Sequence, residues 1–232
     1  MKILFFGDSL TEAKPGVSYI DKLQHHFPDA TFYNFGKGGD TVGNLLKRIR
    51  KIDLTDSVDY IIVWVGVNDI YQKLNWQYRL LTFLTRRKLA KNTNDFQKRY
   101  KILLEHLITN FKVSKKIIAI SAHILGEDKQ NKWNNQLKQY SKIIEEISKE
   151  FPTVTFLDIQ KRFFEDLEGK EISNYIPNSL KNLINDVKNL VDEKMINEAS
   201  KERGLFLTLD GVHLNTIGAE ITAEMIMKEI KD

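Results

Sequence analysis

The start of the chain decides its fold: residues 1–13 read MKILFFGDSLTEA. The apolar run Ile3–Phe6 has the length of a buried strand and ends in Gly7, Asp8 and Ser9. A tight turn accounts for the glycine and the acid. It leaves open whether Ser9 is the N-cap of a following helix or a reactive hydroxyl held at the end of a strand.

Strands and helices alternate along the rest of the sequence. Four further β-rich apolar runs have strand length: Thr31–Phe35, Tyr60–Val65, Ile117–Ile120 and Val154–Leu157. Between them, apolar residues recur at helical spacing. This alternation predicts an α/β fold, a three-layer α/β/α sandwich around a five-stranded parallel sheet. Sites in such sheets lie beyond the carboxyl ends of the strands, which is where Ser9 falls.

We expect a single domain over residues 1–232 with two insertions, at about residues 70–94 and 162–203. Residues 71–101 contain nine Lys and Arg residues and one acid, Asp95. For the first insertion we expect an amphipathic helix with inward aromatic and solvated basic residues; the alternative is a substrate wall for an anionic head group or a lipid surface. Apolar spacing over 176–199 predicts a helix packed on the body, with a lid or dimer contact as the alternative.

Composition excludes several classes of function. The chain has no cysteine, which excludes disulfides, thiolate nucleophiles and cysteine-ligated metals. A net charge of +4 is too small to indicate nucleic-acid binding. The N-terminal apolar run is shorter than that of a signal peptide, and no stretch has the length of a membrane span. We therefore expect a cytoplasmic protein with no integral membrane segment; the oligomeric state is left open.

Polar blocks follow the predicted strands at four places. These are GDSL at 7–10, GKGGDT at 36–41, GVND at 66–69 and, after all five strands, DGVH at 210–213. A serine hydroxyl needs a general base, and His213 has a suitable pKa near neutrality. Asp210 lies three residues earlier, a spacing that lets its carboxylate hold the imidazole. Asn68 Nδ2 and the N–H groups of Gly39 and Ser9 are candidate oxyanion donors.

These blocks resemble those of the SGNH hydrolases, the GDSL esterase/lipase family. That family is named for a serine, a glycine, an asparagine and a histidine, matched here in order by Ser9, Gly39, Asn68 and His213, and Asp210 matches its DxxH acid. The resemblance implies a flavodoxin-like α/β/α fold and a catalytic Ser–Asp–His set. It also implies a serine esterase that works through an acyl-enzyme, with no cofactor.

The resemblance leaves the ester substrate open. Short acyl groups on a small alcohol or sugar are the first expectation. Lysophospholipase or thioesterase activity on longer acyl chains, acyl transfer and a silent binding protein are the alternatives.

Two other features of the sequence bear on cofactors and on substrate contacts. The glycine loop at 36–41 fits neither nucleotide motif: Thr41 stands where a dinucleotide fingerprint needs glycine, and Asn44 where a P-loop needs lysine. No histidine has metal-ligand spacing, so we expect no metal. His123 follows the fourth strand and Tyr71 follows GVND, so both are expected to contact substrate.

Overall fold

The structure, a computed structural model, describes residues 1–74, 76–176, 179–190 and 192–230. Its strands form one sheet in the order β2–β1–β3–β4–β5, and every pair is parallel. The strands are β1 (Lys2–Gly7), β2 (Thr31–Gly36), β3 (Val58–Trp64), β4 (Val113–Ile120) and β5 (Val154–Leu157). The predicted five-stranded parallel sheet is confirmed, because each predicted run coincides with a strand to within a few residues.

Strand register brings the ends of three strands to the same level. Gly7 at the end of β1 pairs with Gly36 on one side and with Trp64 on the other. The loops that follow these strands therefore leave the sheet at one edge. A side chain at Gly7 or Gly36 would collide with the chain just after Ser9, so the glycines allow that segment to pack against the strand ends.

Helices cover both faces of the sheet, as predicted. One layer contains α2 (Tyr19–His26), α8 (Ile159–Asp166) and α11 (Thr216–Glu229); the other contains α3 (Val42–Ile49), α6 (Thr93–Asn110) and α7 (Lys132–Ser148). Two short helices, α1 (Ser9–Glu12) and α4 (Val67–Tyr71), start at the carboxyl edge of the sheet. No helix in the described ranges is long and apolar enough to cross a membrane.

Between α4 and α6, the described residues of the first insertion form α5 (Trp76–Leu84). The prediction that its aromatic residues all pack inward is wrong. Tyr78 is buried, but the Trp76 side chain is 69% exposed and the Phe83 side chain is 79% exposed. Asn75, which precedes the helix, lies outside the described residues.

The second insertion forms two helices where one was predicted, α9 (Leu180–Asn189) and α10 (Glu193–Glu202). Asp192 starts α10 as its N-cap, with its side chain accepting from the Met195 N–H at 2.9 Å. Within the predicted segment, Pro177, Asn178 and Val191 lie outside the described residues. The α9 helix contacts the first insertion, since the Leu180 N–H donates to Gln77 Oε1 at 3.3 Å.

Candidate active site

Ser9 is the first residue of α1, directly after β1, and it is buried. The N-cap of α1 is Asp8, whose Oδ1 accepts the Leu10 N–H at 3.0 Å. The Ser9 side chain is therefore not needed to cap the helix. Its backbone N–H lies in the first helical turn, where amide groups have no carbonyl acceptor within the helix.

Ser9, His213 and Asp210 are joined by hydrogen bonds across 204 residues of sequence. His213 Nε2 lies 3.0 Å from Ser9 Oγ, and His213 Nδ1 lies 2.8 Å from Asp210 Oδ2. The second carboxylate oxygen, Asp210 Oδ1, accepts the backbone N–H groups of Val212 and His213. The side chains of all three residues are buried. This geometry lets the imidazole take a proton from the serine while the carboxylate fixes its tautomer.

The acid and the base shift each other's pKa in opposite directions. Burial alone would raise the pKa of Asp210, but the His213 charge and the hydrogen bonds to Asp210 outweigh burial and lower it. Burial alone would lower the pKa of His213, but the charge and hydrogen bond of Asp210 raise it above its usual value. Asp210 therefore stays ionised and strengthens His213 as a proton acceptor.

Gly39 places a free backbone donor beside the serine. It has a φ of +74°, in the left-handed region that glycine adopts without strain, and it lines the same cavity as Ser9. Its N–H donates no hydrogen bond to any residue that the structure describes, whereas its carbonyl accepts from Gln72 Nε2 at 3.2 Å. The Arg87 guanidinium packs so closely on the Gly39 α-carbon that a side chain there would collide with it.

Asn68 reaches the site from α4, at the end of β3. Its Nδ2 donates to Asp8 Oδ2 at 3.0 Å and to the Asp40 carbonyl at 3.1 Å. Both amide hydrogens thus have acceptors in the resting protein. An oxyanion would have to share one of these hydrogens with its present acceptor. Burial raises the pKa of Asp8 to about 7, although the Leu10 N–H, His213 and Asn68 all favour its charged form.

Buried acids next to these groups hold the loops in place. Asp69 accepts the Val42 N–H at 2.9 Å and the Ala90 N–H at 2.7 Å, which ties α4 to the start of α3 and to the end of the first insertion. Asp40 pairs with Arg48, which also donates to the Gly7 carbonyl at 3.2 Å. These contacts join the ends of β1, β2 and β3 into one rigid edge.

The sequence analysis missed Glu127, which holds the segment that leads to Asp210. Its buried carboxylate accepts the backbone N–H groups of Phe206, Leu207 and Thr208, and the Thr208 hydroxyl, at 2.8–2.9 Å. Next to it, the Gly126 N–H donates to the Gly211 carbonyl at 2.7 Å. No sequence signal pointed to this role, because the partners lie about 80 residues away.

His123 does not occupy the position expected for a substrate contact. Its ring is buried between Trp64 and Phe163, and its Nε2 lies 2.7 Å from the Val212 carbonyl. Burial lowers the pKa of His123 to about 3, so the ring is neutral and Nε2 donates to that carbonyl. His123 therefore supports the loop of His213 from behind and is absent from the cavity lining.

Ser9, Gly39, Asn68, Tyr71 and His213 share one cavity of about 180 Å³. The Tyr71 hydroxyl donates to the Tyr78 hydroxyl at 3.0 Å, and burial raises the pKa of Tyr71 well above its usual value. A larger cleft of about 740 Å³ lies between α7 and α8, but it contains none of these residues. In the described part of the chain, no cluster of three or more His, Cys, Asp or Glu residues could hold a metal ion.

Comparisons with known proteins identify a family and a similar enzyme. The family model of the GDSL-like lipases and acylhydrolases matches residues 3–226. An acetylxylan esterase of Geobacillus stearothermophilus is 25% identical over 186 residues, which cover 72% of this chain and 80% of that protein.

Solved structures of similar proteins share the fold over the whole chain. The crystal structure of an acetyl xylan esterase, AlAXEase, has a TM-score of 0.70 at 24% identity, and the match covers 100% of both chains. The acetylxylan esterase Axe2 of Geobacillus stearothermophilus has a TM-score of 0.68 at 20% identity, and the match covers 100% of this chain and 94% of that one.

Proposed function

The chain belongs to the GDSL-like lipase and acylhydrolase family, and we propose that Ser9, His213 and Asp210 are its catalytic residues. The protein is a carboxylic ester hydrolase, as the family implies. The observation that carries the assignment is the continuous chain of hydrogen bonds from Ser9 Oγ through His213 to Asp210. The substrate that we propose is an ester with a short acyl group, above all acetate, on a sugar.

The reaction proceeds in two steps. Ser9 Oγ attacks the ester carbonyl while its proton passes to His213 Nε2, and the tetrahedral intermediate collapses as the same proton moves to the leaving alcohol. This leaves an acyl group on Ser9. Water then attacks the acyl-enzyme, again losing a proton to His213, and releases the carboxylic acid and free serine. Asp210 stabilises the imidazolium in both steps and remains ionised.

The oxyanion of each intermediate would be held by three donors. The Gly39 N–H donates to no residue in the described part of the chain, the Ser9 N–H lies in the first turn of α1, and Asn68 Nδ2 lies at the same cavity. Donors of this kind act only where charge develops, and each is worth about 3 kcal/mol of transition-state stabilisation. Asn68 differs from the other two because it must share a hydrogen with Asp8 or Asp40.

The size of the cavity supports a short acyl group. Pockets for drug-sized ligands have volumes of roughly 300–1,000 Å³, and the cavity around Ser9 has about 180 Å³. An acetyl group fits into such a space beside Tyr71 and His213. The similarity to acetylxylan esterases supports a carbohydrate as the alcohol component.

The proposal is tested by measuring acetate release from acetylated xylo-oligosaccharides, beside p-nitrophenyl esters from acetate to palmitate. We expect the sugar acetates to be hydrolysed and the rate on p-nitrophenyl esters to fall as the acyl chain lengthens. The Ser9→Ala variant should be inactive on both kinds of substrate. Activity that peaks at long chains, or no acetate release from any sugar, would contradict the proposed substrate but not the assignment of Ser9.

A further inference from the structure

Within the described residues, the two insertions contain most of the large apolar side chains that are exposed. Of the nine large apolar side chains that are exposed in the described part of the chain, six lie on α5 and α9. Their exposed fractions run from 44% to 79%. We call these residues the α5–α9 face: Trp76, Leu80, Phe83, Leu84, Ile184 and Val187.

The two helices of the α5–α9 face meet along a groove that four of its six residues line. A groove of about 440 Å³ runs between the two helices and is lined from both sides, by Trp76, Leu80 and Leu84 of α5 and by Ile184 of α9. The bond from the Leu180 N–H to Gln77 Oε1 holds the start of α9 against α5. Contiguous apolar surface of this kind marks a binding site on a water-soluble domain.

The exposed charged side chains on the two helices themselves are all positive. Residues 71–94 contain no Asp or Glu, and Arg79 and Arg86 of this stretch are exposed. On α9, Lys181 and Lys188 are exposed. The one acid of α9, Asp186, is buried and forms two hydrogen bonds with Arg203, so it does not offset the exposed cations.

We propose that the α5–α9 face docks on an anionic phospholipid surface. Aromatic and aliphatic side chains on one face of a helix enter the boundary between head groups and acyl chains, while arginine and lysine pair with the phosphates. A second copy of this chain fits the face less well. Two such faces packed against each other would bring the arginines and lysines of α5 and α9 together, and neither helix has an exposed acid to pair with them.

The position of the face has a consequence for the enzyme. Leu81 of α5 and Val187 of α9 line the cavity that contains Ser9. The docked surface would thus border the mouth of the catalytic cavity, and esters at a lipid surface would meet the enzyme at its entrance. This goes beyond the proposed sugar deacetylation and does not depend on it.

Vesicle flotation with the full chain tests the docking. We expect binding to phosphatidylcholine vesicles that contain about one-third phosphatidylglycerol, much weaker binding to phosphatidylcholine alone, and release at high salt. Phe83→Asp should lower binding about tenfold or more, because it replaces one of the inserted side chains with a charge that the lipid repels.

Two control variants separate docking from folding and catalysis. Ile217→Asp changes an equally apolar side chain, 52% exposed, on α11 and should bind vesicles like the wild type. Ser9→Ala should also bind like the wild type, since docking needs no turnover. Phe83 lines no part of the catalytic cavity, so Phe83→Asp should keep the wild-type rate on p-nitrophenyl acetate.

Three results would overturn the proposal. The first is no binding to the anionic vesicles. The second is binding that Phe83→Asp and Ile217→Asp leave equally strong. The third is a wild-type dimer that Phe83→Asp converts to a monomer without any vesicle binding by either form, which would assign the face to a second copy.

Discussion

The catalytic edge of the sheet and the α5–α9 face border the same cavity, yet they are built in opposite ways. At the edge, Asp8, Asp69 and Asp210 are fully or almost fully buried, and each accepts hydrogen bonds from backbone or side-chain donors. On the α5–α9 face, large apolar side chains such as Phe83 are exposed and rest on little of the protein.

This difference separates two tasks. Groups that perform chemistry must be held in fixed positions, and the strand ends of a parallel sheet supply that rigidity. Groups that meet a partner need only be displayed, and helices inserted between strands can display them without disturbing the sheet. Substitutions at the edge should therefore have large effects on rate or stability, and substitutions on the face should have small ones.

The largest effect is expected at Ser9. Ser9→Ala removes the oxygen proposed to form the acyl-enzyme, and we expect kcat to fall by about 10⁴-fold or more. Hydrolysis of p-nitrophenyl acetate measures it, with Ser57→Ala, an exposed serine remote from the site, as the matched control. Comparable rates for wild type and Ser9→Ala would show that Ser9 is not the nucleophile.

A second large effect, on stability, is expected at Glu127. Glu127→Ala leaves three backbone N–H groups, two of them buried, and the Thr208 hydroxyl without their acceptor, which should lower the free energy of unfolding by about 3 kcal/mol. Urea denaturation measures the loss. Glu146→Ala, on the surface of α7 and 3.9 Å from Lys142, should change stability by less than about 0.5 kcal/mol. Equal effects would mean that the edge is no more tightly held than the surface.

Asp8→Asn should have an intermediate effect with a characteristic pH dependence. It replaces a charged acceptor of Asn68 Nδ2 with a weaker neutral one, which loosens the hold on the Asn68 side chain and should lower kcat/KM about tenfold. Against the effect of burial, Asp210 and, while it is ionised, Asp8 raise the pKa of His213. Activity needs neutral His213, so activity is lost as the pH falls through that pKa. Removing the charge should move the acidic limb of the kcat/KM profile to lower pH. An unshifted limb would contradict this coupling; Asp29→Asn, at an exposed site, is the control.

The smallest effect is expected on the α5–α9 face. The Leu84 side chain is 66% exposed, so Leu84→Ser should change the free energy of unfolding by less than about 0.5 kcal/mol. The rate on soluble acetate esters should stay within about twofold of wild type. Urea denaturation and an esterase assay check both. A loss of several kcal/mol would show that the face is part of the packed body.

Much of the fold could be predicted from the sequence, because buried parallel strands appear as short continuous apolar runs. The α11 helix was not predicted: its buried face consists largely of small residues, Gly218, Ala219, Thr222 and Ala223, which give a weak apolar pattern. The break between α9 and α10 was also missed, since Asp192 caps a helix inside a segment whose apolar spacing appeared continuous.

The residues of the candidate site could be predicted from the sequence, but the contacts that hold their loops in place could not. Four short blocks named Ser9, Gly39, Asn68 and His213, and the structure places these residues around one cavity. The roles of Glu127 and His123 depend on backbone groups about 80 or 90 residues away, and no local pattern encodes such contacts. The outward aromatic residues of α5 were missed because an amphipathic pattern does not tell which side of a helix the body covers.

The assignment of Ser9 as the nucleophile is tested most directly with diethyl p-nitrophenyl phosphate. The protein is treated with this reagent, and the modified residue is located by peptide mass spectrometry. The serine oxygen forms a bond to phosphorus as p-nitrophenol leaves, so the reagent reports the activated hydroxyl itself. We expect the reagent to modify Ser9 in the wild type and to react at a rate lower by orders of magnitude in His213→Ala. Modification at another residue, or none while a known serine esterase reacts in parallel, would contradict this assignment.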